Sequence, residues 1–282
     1  MNLLAKIAAS TAVSVTAALA LLGNSAMAFT VTQNSNTNSL LNALLGDTTG
    51  LSNFSINATG NAAAFGLFSD DPFGLSNGIV LSTGKVTDVV GPNNSSSKST
   101  SFGTSGDTAG SYDLAKLDIS FDAGATVDKL FFQYVFGSEE FVEYGGSSFN
   151  DSFELLLNGV NLAKLNDGKT VTINNLVPNP NGPYHADYIN NPQGSATTQL
   201  DGYTKNLTFE GLVNKNAKNT LSIKIKDVGD SSWDSAVFIK GKSVGVVAPP
   251  KDVPEPSLML GLLSVGGMTL IGRRHKQKAL KA

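Results

Sequence analysis

Leu130-Phe131-Phe132-Gln133-Tyr134-Val135-Phe136 is the stretch that decides the fold. Aromatic and β-branched side chains favour extended backbone. A near-continuous apolar run with no Gly or Pro inside reads as a central strand. Its neighbours show the other β pattern. Leu117-Asp118-Ile119-Ser120-Phe121 alternates strictly, as a half-buried strand does. Thr220-Leu221-Ser222-Ile223-Lys224-Ile225-Lys226 also alternates, which points Leu221, Ile223 and Ile225 inward and the lysines outward. Further short strands are expected at Ile79 to Thr83, Phe153 to Leu157, Val160 to Leu165, Thr170 to Ile173, Leu207 to Phe209 and Ala236 to Ile239. Asn158-Gly159 is the dipeptide of a tight hairpin. Roughly ten short strands with turn chemistry between them predict an all-β chain, an antiparallel β-sandwich of jelly-roll-like type. A split into two domains near residue 115 is the competing arrangement.

The connections are polar. Leu40-Leu41-Asn42-Ala43-Leu44-Leu45 is an apolar patch that suits a turn or two of helix. Gly91 to Gly110, dominated by Ser, Thr, Asn and Gly, reads as a long mobile loop. Residues 178 to 202 are a second long excursion, rich in Pro, Asn and Gly.

Both ends carry targeting chemistry. Residues 1–28 read as a secretory signal peptide: Lys6, a diluted apolar stretch from Ala8 to Leu22, and the small-x-small pattern Ala26-Met27-Ala28 that marks cleavage before Phe29. At the other end, residues 248–256 form a linker with Pro254-Glu255-Pro256. Residues 257–272 form a single apolar helix, and residues 273–282 a basic tail that begins Arg273-Arg274. An apolar helix of about 15 residues reaches about 23 Å, short of a hydrocarbon core of about 30 Å. It suits transient membrane insertion better than permanent anchoring, with the basic residues on the cytoplasmic side. The three-part order resembles the PEP-CTERM sorting signal. That resemblance implies passage through the secretion translocon, recognition by an exosortase, transient holding in the inner membrane and delivery to the cell surface or extracellular matrix.

Without its targeting segments the chain leaves a body of about 225 residues, compatible with one large β domain. The chain holds 20 Lys+Arg and 23 Asp+Glu. Lys6 and five basic residues of the tail are lost with those segments, which leaves 14 bases against 23 acids, a net of −9. Both arginines, Arg273 and Arg274, lie in the tail, so the body has none. Nucleic acid, phosphate and anionic membrane are therefore not expected partners of the body, because those surfaces call for clustered Arg and Lys. There is no cysteine, which excludes disulfides, thiolate metal sites and cysteine nucleophiles. His185 is the body's only histidine and sits in a Pro-, Asn- and Gly-rich segment. It reads as a solvated loop residue in preference to a triad base.

Carboxylates concentrate where strands end. Phe136-Gly137-Ser138-Glu139-Glu140-Phe141 is followed ten residues on by Phe149-Asn150-Asp151-Ser152-Phe153. Asp227-Val228-Gly229-Asp230-Ser231-Ser232-Trp233-Asp234-Ser235 runs into the strand at Ala236. Crowded like charges need a counterion or strong solvation. Calcium takes six to eight oxygens from carboxylates, amides, carbonyls and water. The candidate ligands are Glu139, Glu140, Asn150, Asp151, Asp230 and Asp234. Against this, Asp227, Asp230 and Asp234 could simply cap turns in water. Zinc does not suit a set without Cys and with one His. A glycosidase would pair Glu139 or Glu140 with Asp151 or Asp230 across a sugar cleft. Such clefts usually carry several aromatic platforms, and the body has one tryptophan, Trp233.

Four segments in order carry a second resemblance: Gly78-Ile79-Val80-Leu81-Ser82-Thr83-Gly84, Phe132 to Phe141, Phe149 to Phe153, and Asp227 to Ser231 with Asp234 to Ile239. Over residues 60 to 242 the chain resembles the choice-of-anchor L domain. The resemblance implies an extracytoplasmic β-sandwich of residues 29–247, borne by secreted bacterial proteins with differing C-terminal anchoring signals, and no catalytic residues. The aromatic after the Glu pair, commonly Tyr in that family, is Phe141 here. The resulting expectation is a non-enzymatic surface or matrix protein, calcium-stabilised, that binds extracellular polysaccharide or matrix proteins of a biofilm. The alternative is a secreted glycosidase acting on exopolysaccharide.

Overall fold

In the computed structural model, which describes residues 28–249, two antiparallel sheets pack face to face. In chain order the elements are β1 (Thr30–Gln33), α1 (Thr37–Leu44), β2 (Leu51–Thr59), β3 (Phe65–Ser69), β4 (Asn77–Ser82), β5 (Ser111–Ala123), β6 (Lys129–Ser138) and β7 (Ser152–Leu157). They continue with β8 (Val160–Asn161), α2 (Ile173–Leu176), β9 (Tyr188–Asn190), β10 (Gly202–Thr204), β11 (Leu207–Leu212), β12 (Ala217–Val228) and β13 (Ser235–Lys240). The larger sheet runs β1-β3-β4-β13-β6-β10-β9, with β11 also on β6; the smaller runs β2-β5-β12-β7-β8. Both sheets hold strands from either side of residue 115, and that residue lies inside β5, so no seam divides the body there.

The decisive stretch forms β6, at the centre of the larger sheet. Its apolarity is continuous because both faces are covered. Phe132, Tyr134 and Phe136 face the smaller sheet, and Phe132 stacks on Phe209 of the neighbouring strand β11 with ring centroids 4.3 Å apart. Val135 faces the other way, into a second cluster with Phe68, Phe73, Leu75 and Phe238. Phe29 joins that cluster, 5.9 Å from the Phe73 ring, so the expected first residue of the exported chain is packed into the fold. On β12 the alternation holds: Leu221, Ile223 and Ile225 are in the core.

Some sequence expectations change. Lys224 and Lys226 do point away from the core but are not solvated. Both are buried under the segment before β5, where their ammonium groups each donate to Asp107 at 2.7 Å. Although burial works against ionisation, these two ammoniums hold the Asp107 carboxyl down to about 2. Thr170 to Ile173 makes only isolated bridges before turning into the short helix α2, capped by Thr172. Val171 and Ile173 are both core residues, Val171 just before the helix and Ile173 as its first residue. The apolar patch at Leu40 forms the last part of α1, capped at Asn36 by its bond from the Ser39 N–H. Asn158 and Gly159 both take positive φ, +52° and +83°, as the tight hairpin turn requires. The segments containing Ala26, Pro254, Glu255, Pro256, Arg273 and Arg274 lie outside the described residues.

Candidate functional site

Pairing register brings the carboxylates to one end of the sandwich. In the larger sheet Ser138 at the end of β6 pairs with Ser235 at the start of β13. Glu139 and Asp234 therefore leave adjacent strands together, and the Glu139 N–H donates to the Asp234 carbonyl at 3.1 Å. In the smaller sheet Ser152 on β7 pairs with Lys226 on β12, which sets Asp151 beside Asp227. The two sheets are stitched here. The Ser235 hydroxyl donates to Asp151 Oδ2 at 2.7 Å and lies 2.9 Å from Ser138 Oγ. The Val228 N–H donates to Asp151 Oδ1 at 2.9 Å.

The Ser/Thr/Asn segment 91–110, expected to be mobile, is a strap tied across this end. The Lys98 N–H donates to Glu139 Oε2 at 3.1 Å and the Thr100 N–H to Asp234 Oδ1 at 3.0 Å. The Phe102 and Thr104 N–H groups both donate to Asp113 at 2.9 Å. Hydrogen bonds to charged acceptors are about twice as strong as neutral ones. The strap's low-complexity composition gives no hint of this, because its backbone makes the contacts. Gly84, next to the strap, leaves room for Asp234: a Cβ there would fall 1.7 Å from Asp234 Oδ2. Beneath the strap a cavity of about 10 Å³, large enough for a single water or ion, is lined by Asp88, Glu139 and Asp234 with Lys85 and Lys98 beside them.

The carboxylates are buried and short of partners. Glu139 is 1% exposed, Glu140 2%, Asp151 1%, Asp227 1% and Asp234 4%. Glu139 Oε1, Glu140 Oε2, Asp234 Oδ2 and both oxygens of Asp227 lack any hydrogen-bond partner. Burial, reinforced by the Asp201 and Asp234 carboxylates, pushes Glu139 up to about 9. Burial, then Asp151 and Asp230, pushes Glu140 up to about 9. Burial raises Asp234 to about 7 despite the Thr100 N–H, and Asp201 to about 7 despite the Asn93 amide. Asp151 rises to about 7, again by burial, against its bonds from Ser235 and Val228. Its neighbour Asp227 is raised well above the ordinary carboxyl range, by burial and by the Asp151 charge. At neutral pH such a group holds protons, or a cation does their work.

Four of the six candidate ligands, Glu139, Glu140, Asp151 and Asp234, thus meet at this end. Asn150 turns elsewhere: its Oδ1 accepts from the Asn174 N–H at 2.9 Å and fixes α2. Asp230 is exposed and closes a turn by accepting from the Ser232 N–H at 3.0 Å. Asp227, which reads in sequence as a turn cap, caps nothing and is buried. Asp88 and Asp201 join the site from distant segments with no local signal in the sequence. Among the described residues no three His, Asp or Glu side chains surround one point closely enough to cage a metal unaided. A calcium ion here would need carbonyl and water oxygens as well, which is its ordinary habit. His185 is not a free loop residue: its Nε2 lies 3.2 Å from Asp167, and its Nδ1 accepts from the Asp187 N–H at 3.1 Å.

An antiparallel β-sandwich with a strapped, carboxylate-rich end defines the class of protein. The family model of the choice-of-anchor L domain matches residues 30–245, and the chain belongs to that family. The match begins at β1, some thirty residues before the stretch from 60 to 242 over which the resemblance is read from the sequence. Membership places it among extracellular or surface-anchored proteins. No curated protein matches the chain. Two solved structures resemble it weakly. One is a carbohydrate-binding module specific for non-crystalline cellulose, CBM28, at 12% identity over 62% of this chain and 77% of that one, TM-score 0.30. The other is a family 35 carbohydrate binding module from an environmental isolate, at 14% identity over 57% and 95%, TM-score 0.20.

Proposed function

We propose that this chain is a non-enzymatic protein of the cell surface or extracellular matrix whose body is stabilised by calcium bound at the acidic end. An exosortase acting at Pro254-Glu255-Pro256 sorts it, after export through the translocon and transient insertion of residues 257–272. It associates with exopolysaccharide or with neighbouring proteins of a biofilm matrix.

The observation that carries the cation reading is the set of buried carboxylate oxygens without partners, centred on Glu139, Asp227 and Asp234. Burying a charge without a partner costs several kcal/mol, so these groups call for protons or a cation. The donor set is hard oxygen throughout, which suits calcium. The same burial favours binding over hydrolysis. A glycosidase must open both acids to a sugar ring, whereas Glu139, Glu140 and Asp151 are closed off and Glu139 is hydrogen-bonded to the strap.

Elemental analysis of the protein purified without chelator from a calcium-containing medium tests the metal. About one calcium per chain is expected, and none would sink the reading. Mass spectrometry of the same sample tests the sorting: a C-terminus near Pro254 is expected, and an intact Ala282 would contradict exosortase cleavage.

A further inference from the structure

We propose that the end of the sandwich opposite the carboxylates is a bilayer-facing surface, which, held there by the tail although the charge of the body as a whole disfavours an anionic membrane, stands the body upright and turns the acidic end outward. This rests on the reading of residues 257–272 as a membrane-held segment.

Strand register fixes the two ends. β13 runs from Ser235, beside the carboxylates, to Lys240 at the far end, and β6 runs the opposite way from Lys129. The chain then leaves the fold at the far end. Gly245 exchanges backbone hydrogen bonds with Phe131 at 2.8 and 3.1 Å, Val244 bridges Leu45, and the Val246 N–H donates to Asp47 at 2.9 Å. The exit point is therefore bound to the sheet on both sides, and the tail starts from a fixed place. The ten residues of β6, at about 3.3 Å each, put the carboxylates about 30 Å from this exit.

The chemistry of the two ends matches that orientation. Around the exit, Asp128 pairs with Lys215 and Glu210 with Lys129. Lys218 and Lys242 stand exposed and Lys240 half-exposed, against the acids Asp47 and Asp122. Val247, 61% exposed, lies at the exit, and Leu212, 73% exposed, is paired in register with Lys129. Open grooves of about 240 and 440 Å³ flank Val246 to Pro249. Exposed apolar side chains among lysines suit the headgroup region of a bilayer, where long cationic side chains reach toward phosphate. The opposite end exposes the acids Asp230 and Glu143 beside the buried cluster, and an anionic surface repels them. A tether alone would let the body tumble. A near-neutral, partly apolar near end with exposed lysines and a far end with exposed acids bias it upright, so that whatever the acidic end binds meets it first.

The chain has no cysteine, so single labels are unambiguous. Full-length Val247→Cys, Leu212→Cys and Ser232→Cys variants, labelled with a donor fluorophore, would be reconstituted in phosphatidylglycerol-containing vesicles bearing a headgroup acceptor. The expected result is strong quenching at 247 and 212 and at least about threefold weaker quenching at 232. Equal quenching at all three, or stronger quenching at 232, overturns the orientation while leaving the anchoring reading intact. If the full chain fails to co-sediment with vesicles, the anchoring reading itself falls, and the orientation with it.

Discussion

Raising the pH of the cation-free body from 5 to 7 is expected to weaken it steeply. A carboxyl whose pKa is raised by folding adds stability that is complete below its unfolded value, near 4, and is lost as pH rises through the folded value. Asp234 sits at about 7, and the Asp151 and Asp227 pair holds at least one proton in that range. Each proton kept by the folded chain and released by the unfolded one costs about 1.4 kcal/mol per pH unit. Two such protons remove about 5 kcal/mol between pH 5 and 7, comparable to the whole stability of many domains. At about 2–4 °C per kcal/mol for a domain of this size, the unfolding midpoint drops by about 10–20 °C. Glu139 and Glu140, at about 9, deepen the fall. Asp107 and Asp167, held at about 2, titrate below this window and do not offset it. The assay is thermal unfolding by circular dichroism in excess chelator at pH 5, 6, 7 and 8. A midpoint that stays level or rises with pH would refute the burial of ionisable carboxyls as described.

Three further outcomes follow from the same geometry. Asp227→Asn removes a buried carboxyl with no hydrogen bond and should stabilise the cation-free body by about 1–3 kcal/mol at pH 7; urea unfolding that shows a loss instead would mean Asp227 has a partner. Phe209→Ala empties the stack against Phe132 between the sheets and should cost about 3–5 kcal/mol in the same assay. Gly84→Ala pushes a methyl into the Asp234 carboxylate, so it should free the Thr100 amide and raise hydrogen exchange along the strap while β6 stays protected.

How much of this was legible in the sequence depends on how local the cause is. β6, β12 and β13 announce themselves because their core contacts set their own side-chain pattern, and Asn158-Gly159 because its turn needs positive φ. β1 and β2 do not. They lie at sheet edges, and their polar, largely exposed side chains carry little apolar rhythm. Thr170 to Ile173 has β-branched composition but is short, and α2 is fixed from outside by Asn150. Glu139, Asp151 and Asp234 were readable as acids at strand ends. Their burial was not, because it comes from the strap, whose amide donors have no side-chain signature. Asp201, joined to Asn93 at 2.7 Å across 108 positions, is a purely tertiary member of the site.

The most direct test of the account is the unfolding midpoint of the mature body at pH 8, with and without calcium, beside a Glu139→Gln/Asp234→Asn double variant. Calcium at about 100 times its Kd should add about 2.7 kcal/mol to the native body, a rise of several degrees. The double variant should fold, resist the loss at high pH, and gain nothing from calcium. An identical midpoint for the native body in calcium and in chelator would contradict the cation reading of the acidic end.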